Sequence, residues 1–303
     1  MINPHPILPE FDYIRPTTAE QAVHFLQTHS LQARPFLGGT DCLVAIRDRK
    51  ISPAYLVDLK GLPGLDDLSF HEKEGLLVGA AVNLNCLIAH PAVQAYYPLI
   101  AEAAREVGSY QLRTRATLTG NICNASPCGD TIAPCLAYQG TVTIQGTQGI
   151  REVPLIDFFL GPGKTVLEAS EIVTSIRLPK PPPSAAGTYS SIGRNTLGDL
   201  AITAVTVLAY PWQANPSGFR FLIVLSAVAP TVIFAQEAQQ LLNEKPVNEE
   251  RLQQAALLAS QSSKPIDDIR ASASYRREMV HVLTLRALRQ VWQQLQEGNG
   301  YGS

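Results

Sequence analysis

Two periods of apolar residues alternate through the first part of the chain. Thr17 to Gln27 places Ala22, Val23 and Leu26 at helical spacing behind Pro16 and Thr17, which predicts a first helix with a hydroxyl cap. Arg34 to Leu37 predicts a short strand, and Cys42 to Arg47 a helix. Tyr55 to Leu59 and Leu76 to Gly79 read as strands, and Asn83 to Ala89 as the start of a helix. Leu99 to Val107 reads as another helix, stopping at Gly108; Ile132 to Tyr138 is predicted helical and Thr141 to Gln145 extended. Interleaving of this kind predicts an α+β or α/β domain over residues 1–180.

Lys180-Pro181-Pro182-Pro183-Ser184 interrupts the pattern, since consecutive prolines continue neither a helix nor a central strand. Beyond it Gly187 to Gly193, Ala201 to Tyr210 and Phe219 to Ala229 read as three strands. Thr231 to Leu242, Asn248 to Ser260 and Ser274 to Gln296 read as three helices. The last carries an apolar stripe through Val280, Leu283, Ala287, Leu288 and Trp292. Residues 184–296 are therefore expected to form a second, α+β domain, a three-stranded antiparallel sheet with helices.

With 303 residues, two domains are expected. Hydrophobic residues at 46% and charged residues at 17% supply an ample core, and a net charge of -2 argues against nucleic-acid binding. The five cysteines, Cys42, Cys86, Cys123, Cys128 and Cys135, are odd in number and confined to the first half. That pattern suggests a reducing compartment rather than a disulfide framework. Met1 to Pro6 lacks a charged and then apolar leader pattern, and the most apolar run, Phe221 to Ala235, is broken by Ser226 and Pro230. A cytoplasmic protein without a membrane span is expected.

Two segments carry candidate chemistry. Pro35-Phe36-Leu37-Gly38-Gly39-Thr40-Asp41 is either a tight turn before a helix or a loop whose N–H groups approach a diphosphate without an intervening Cβ. Thr117 to Thr131 collects glycines, short amides, hydroxyls and Asp130 with little apolar periodicity. It reads either as a second ligand loop, with Asp130 accepting from ligand hydroxyls, or as an Asx-rich turn in which Asp130 caps the next helix. Together they suggest two jaws of one site. The thiols Cys123, Cys128 and Cys135 lack a fourth ligand and are read as small buried side chains rather than metal ligands. Gly163-Lys164-Thr165 has Phe158 where a nucleotide triphosphate loop needs glycine, and is read as a surface turn. No nucleophile elbow, zinc motif or acid–base pair is present, so catalytic residues are not assigned and a bound cofactor is expected to perform any chemistry.

These segments resemble, in order, the flavoprotein (medium) subunit of the molybdenum hydroxylases, the group of xanthine dehydrogenase, carbon monoxide dehydrogenase and aldehyde oxidoreductase. The resemblance runs from Phe11-Asp12-Tyr13-Ile14-Arg15-Pro16-Thr17 through Gly38-Gly39-Thr40-Asp41, Gly79-Ala80-Ala81-Val82, Gln111-Leu112-Arg113-Thr114 and Thr119 to Pro127. It continues through Asp199-Leu200-Ala201, Ala227 to Thr231 and Ile266 to Ser272. It implies an FAD-binding domain of vanillyl-alcohol-oxidase (PCMH) type, with two α+β lobes parting near residue 60, followed by the C-terminal α+β domain. It places Leu37, Gly38, Gly39, Thr40 and Asp41 along the FAD diphosphate, and Ala116, Thr117, Gly120, Asn121 and Cys123 along the flavin and its ribityl arm. Asp130 would hold hydroxyls, Ile172 and Val173 would lie near the adenine, and Asp199 and Leu200 would reach the flavin ring.

The resemblance further implies non-covalent FAD here, with the molybdenum cofactor and two [2Fe-2S] clusters in a large and a small partner subunit of a heterotrimer. Electrons would pass from the clusters to FAD and on to a soluble acceptor. A Lys common in the family is Ser191 here, which would lower the flavin potential unless Arg194 compensates. Two other readings are a stand-alone flavin oxidase or reductase and a non-catalytic assembly or binding protein of the same fold.

Overall fold

The computed structural model describes residues 8–195 and 198–298. The N-terminal stretch read for a leader, Met1 to Pro6, lies outside the described residues. Several helices begin where a short polar side chain precedes an apolar run. Thr18 accepts from the Gln21 N–H at the head of α1 (Ala19–His29), which buries Ala22, Val23 and Leu26. That face packs on a three-stranded parallel sheet in which β3 (Tyr55–Asp58) lies between β1 (Asp12–Ile14) and β2 (Ala33–Phe36). The helix α2 (Cys42–Arg47) lies in the crossover from β2 to β3.

A second, antiparallel sheet follows. It orders β4 (Leu68–His71), β5 (Gly75–Gly79), β10 (Ile172–Leu178), β6 (Thr141–Gly146) and β7 (Gly149–Pro154), with β8 (Phe159–Gly161) and β9 (Lys164–Thr165) as a small separate hairpin. Gly163-Lys164-Thr165 sits at the turn of that hairpin, with Gly163 at a φ of 67°. The helices α3 (Leu84–Ala89), α4 (Pro91–Tyr96), α5 (Pro98–Glu106), α6 (Tyr110–Arg113), α7 (Leu118–Asn124) and α8 (Ile132–Ala137) fill the chain between β5 and β6. Tyr97 is wholly buried among them; its hydroxyl donates to the Leu178 carbonyl at 3.0 Å and accepts from the Leu76 N–H at 3.1 Å. It thereby joins the helical layer to neighbouring strands, and burial holds its phenol above the usual range.

The C-terminal part is an antiparallel sheet of β11 (Ala186–Ile192), β12 (Thr203–Pro211), β13 (Phe219–Ser226) and β14 (Ile233–Phe234), carrying α9 (Gln236–Glu244), α10 (Glu249–Ser262) and α11 (Ala273–Gln296). Residues 203–210 of β12 are all buried, because both faces are covered. Val205, Val207 and Ala209 pack with the helices, while Ala204, Leu208 and Tyr210 join the core of the preceding sheet and α8. This explains a strand that reads as an unbroken apolar run.

Three expectations are corrected here. The sheet has a fourth strand, and the helix expected from Thr231 begins only at Gln236. Ile233 and Phe234 instead pair with Leu225 and Val224, so the open edge of β13 overrides the local helical pattern. Residues 118–124 of the second glycine segment are helical, not looped. A Thr117 cap starts that helix and Ala125, at a φ of 48°, ends it.

Candidate functional site

The first glycine segment leaves β2 and enters α2. Gly39 has a φ of 73°, and a Cβ there would lie 2.5 Å from the Phe36 ring. A Cβ on Gly38 would lie 2.0 Å from the Arg115 carbonyl oxygen and 3.2 Å from the Ala116 Cα. The first glycine segment therefore meets, backbone to backbone, the two residues that lead into the second, and glycine is what permits it. Asp41 opens α2 without capping it; partial desolvation raises its carboxyl, opposed by the Thr40 hydroxyl.

The second jaw is fastened from behind. Leu84 donates its N–H to the Ala116 carbonyl at 2.9 Å, and Asn83 bridges Thr117. The Thr117 hydroxyl accepts from the Gly120 N–H at 2.9 Å. Thr131 donates to Asn121 Oδ1 at 2.7 Å, which fixes the amide and leaves its NH₂ for another partner. The Thr119 hydroxyl is buried in the same turn without a hydrogen-bond partner among the described residues.

Between the jaws lies a cleft of about 200 Å³, lined in part by Gly38, Lys60, Asp66, Asn83, Arg115 and Thr117. Lys60 is pinned there: its ammonium contacts Asp58 Oδ1 at 2.6 Å and the Tyr13 hydroxyl at 3.0 Å, and sits 4.5 Å from the Phe36 ring centre. Burial pushes Asp58 up, but the Lys60 ammonium and N–H outweigh it and hold the carboxyl below its usual range. A site of this volume is smaller than the 300–1,000 Å³ typical of a whole drug-sized ligand. It suits the anionic middle of a dinucleotide, approached by main chain and flanked by cations.

The remaining predicted site residues are distributed unevenly. Cys123 is half-buried in α7, and burial pushes its thiol up to about 12, so it stays protonated at neutral pH. Asp130 is 8% exposed, and its Oδ1 accepts from the Tyr189 hydroxyl at 2.7 Å. Burial first, then the Glu106 charge, lift its carboxyl to about 6 against that hydrogen bond. It does not cap α8; Thr131 holds the cap position, without a side-chain bond. Ile172 and Val173 are buried in β10, where they pair with Gln145 and Ile144 of β6. Asp199 receives the Arg194 N–H at 2.8 Å together with its guanidinium, and Leu200 is 54% exposed on the same β11–β12 connection. Arg194 is thus committed to Asp199, while Ser191 lies beside the Tyr189 hydroxyl.

Residues 9–181 match the family model of the FAD-binding domain in molybdopterin dehydrogenase, and residues 188–291 that of the CO dehydrogenase flavoprotein C-terminal domain. The chain belongs to the FAD-binding subunits of the molybdenum hydroxylases. It is 32% identical to the carbon monoxide dehydrogenase medium chain of Hydrogenophaga pseudoflava, over 94% of this chain and 98% of that one. It is 29% identical to the glyceraldehyde dehydrogenase medium chain of Sulfolobus acidocaldarius, over 93% and 99%. Its fold matches a solved structure of carbon monoxide dehydrogenase from Hydrogenophaga pseudoflava with a TM-score of 0.90, at 31% identity, covering 95% of this chain and 99% of that one.

For an FAD-binding subunit the cleft is chemically apt. The glycine approach, the fixed Asn121 amide and the cationic rim all fit a dinucleotide's phosphates and hydroxyls. Sequence reasoning did not select Lys60, Asn83 or Arg115. Only Asn83 carried a signal, as a short polar residue opening a predicted helix; the two cations look like any surface Lys or Arg until the chain folds.

The C-terminal domain reaches this region by its own contacts. Ala227 donates its N–H to the Pro127 carbonyl at 2.7 Å, Tyr189 holds Asp130, and the Tyr189 N–H bonds Glu102 at 3.0 Å. Arg276, only 2% exposed, donates to the Ile202 and Ala227 carbonyls and to Asp268. Asp268 also accepts the Arg270 and Ala271 N–H groups, which outweigh desolvation and hold its carboxyl far below the usual range.

Proposed function

We propose that this chain is the electron-transferring FAD subunit of a molybdenum hydroxylase complex. It takes electrons from [2Fe-2S] clusters in a small partner subunit and passes them to a soluble external acceptor, while substrate is oxidised at the molybdenum cofactor of a large partner subunit. The observation that carries this reading is the approach of Gly38 to Arg115–Ala116, which lead into the second glycine-bearing segment, on one cation-rimmed cleft in a chain matched along nearly all its length by medium chains. Bound FAD supplies the redox chemistry. The chain's own residues bind and orient it: N–H groups of Gly38 to Asp41 approach the diphosphate, Thr117, Gly120 and Asn121 hold the arm next to it, and Asp130, steadied by Tyr189, faces the domain junction.

Ile172 and Val173 would meet the adenine end through their main chain, and Asp199 and Leu200 would bring the second domain toward the flavin ring. Among the described residues no helix is long and apolar enough to cross a membrane. A cytoplasmic heterotrimer fits the reducing-compartment cysteine pattern.

Affinity purification from native cells, with mass spectrometry of the co-purifying chains and absorption spectra before and after substrate, tests the reading. The expected result is a yellow complex with an iron–sulfur and a molybdenum subunit, in which substrate bleaches the flavin band. A yellow but solitary chain that turns over a small molecule by itself would overturn the electron-transfer role in favour of a stand-alone flavin enzyme.

A further inference from the structure

Lys60 follows β3 of the first sheet, whereas Arg115 precedes α7 of the second jaw, and both line the cleft. Lys60 is immobilised by Asp58, Tyr13 and the Phe36 face, and the same Phe36 ring packs where a Cβ on Gly39 would go. Two of its three ammonium protons are taken, and the third remains for a ligand. Arg115 is exposed and paired with no carboxylate among the described residues, although its carbonyl lies against Gly38. Asp66 is the one carboxylate among the lining residues, so the cations outnumber it.

We propose that Lys60 and Arg115 form a two-sided cationic clamp on the FAD diphosphate, one cation from each side of the cleft. The inference rests on the FAD-binding reading of the cleft and goes beyond it by assigning the charge recognition to these two side chains. The cleft matches a diphosphate in scale, the glycine N–H groups supply neutral donors, and the fixed Lys60 needs little reorganisation to meet the ligand. Arg115, with a planar fork and no carboxylate partner among the described residues, supplies the paired donors a phosphate accepts.

Titration of the flavin-free full-length chain with FAD, followed by flavin fluorescence, tests the clamp. Riboflavin, which lacks both phosphates, serves as the comparison ligand. Lys60→Gln and Arg115→Gln are each expected to weaken FAD binding about ten-fold, to reduce its salt dependence, and to leave riboflavin binding unchanged. Lys60→Arg and Arg115→Lys should keep most of the affinity. Because Lys60 also ties Tyr13 to Asp58, Arg115→Gln decides the matter if Lys60→Gln does not fold. Unchanged FAD affinity in Arg115→Gln, or an equal loss for riboflavin, overturns the clamp while leaving FAD binding intact. Failure of the unsubstituted chain to bind FAD at all overturns the FAD reading, and the clamp with it.

Discussion

Replacing Gly38 by alanine probes the contact on which the site depends. The new Cβ would stand 2.0 Å from the Arg115 oxygen and 2.7 Å from its carbonyl carbon, both backbone atoms that no rotamer change can move. Real side-chain carbons stay beyond 3.0 Å, so the jaws must part by at least 3.0 − 2.0 = 1.0 Å. Overpacking of this kind costs about 1–3 kcal/mol, which for a protein of this size lowers Tm by roughly 2–10 °C. The same displacement widens the cleft by about a third of a hydrogen-bond length, so FAD affinity should fall about ten-fold or more. Differential scanning fluorimetry separates the two effects. FAD at about 100 times the unsubstituted Kd should protect the unsubstituted chain by about 2.7 kcal/mol, and a variant with a ten-fold weaker Kd by only about 1.4 kcal/mol. Gly61→Ala, where a Cβ meets nothing within 4 Å, is the control and should change neither value. An Arg115–Gly38 contact unimportant to the site would show as a Gly38→Ala variant whose FAD-induced rise in Tm equals that of the unsubstituted chain.

Asp130 makes stability depend on pH. Its folded carboxyl is raised from 3.8 to about 6, chiefly by burial. The folded chain therefore keeps this proton where the unfolded chain loses it, and the contribution is full below the unfolded value and lost as pH rises through about 6. Asp130→Asn should flatten this fall, worth up to about 3 kcal/mol, in urea unfolding across that window; an unchanged slope counts against the buried carboxyl. Arg276→Met should cost about 3 kcal/mol in the urea midpoint, because two carbonyls and Asp268 lose a buried cation, and Arg276→Lys should restore only part of it. A thiol reagent at neutral pH should label exposed Cys86 first and reach Cys135, whose thiol burial pushes well up, only on unfolding; equal rates would refute that burial.

What the sequence reveals follows from short-range physics. The hydroxyl and amide caps, the period-3.6 stripe of α11 and the glycine segments announce themselves because each solves a local backbone problem. Family membership was legible because so many of these local solutions occur in the family's order. The central strand β10 was missed although Ile172, Thr174, Ile176 and Leu178 alternate, since its partners β5 and β6 lie far from it in the chain.

The chain by itself settled the fold class and the FAD-binding family, and it marked out the two glycine segments as candidates. Only the folded structure decided that Gly38 touches Arg115, that Asp130 is held by Tyr189 of the second domain, that Arg194 is tied to Asp199, and that Lys60 and Arg115 face one cleft. The physical reason is range. Caps, turns and periodicity act within a few residues and leave a mark in the sequence there. Clefts, buried charges and their shifted acidities arise where distant segments exclude water together, and no single stretch of chain records that meeting.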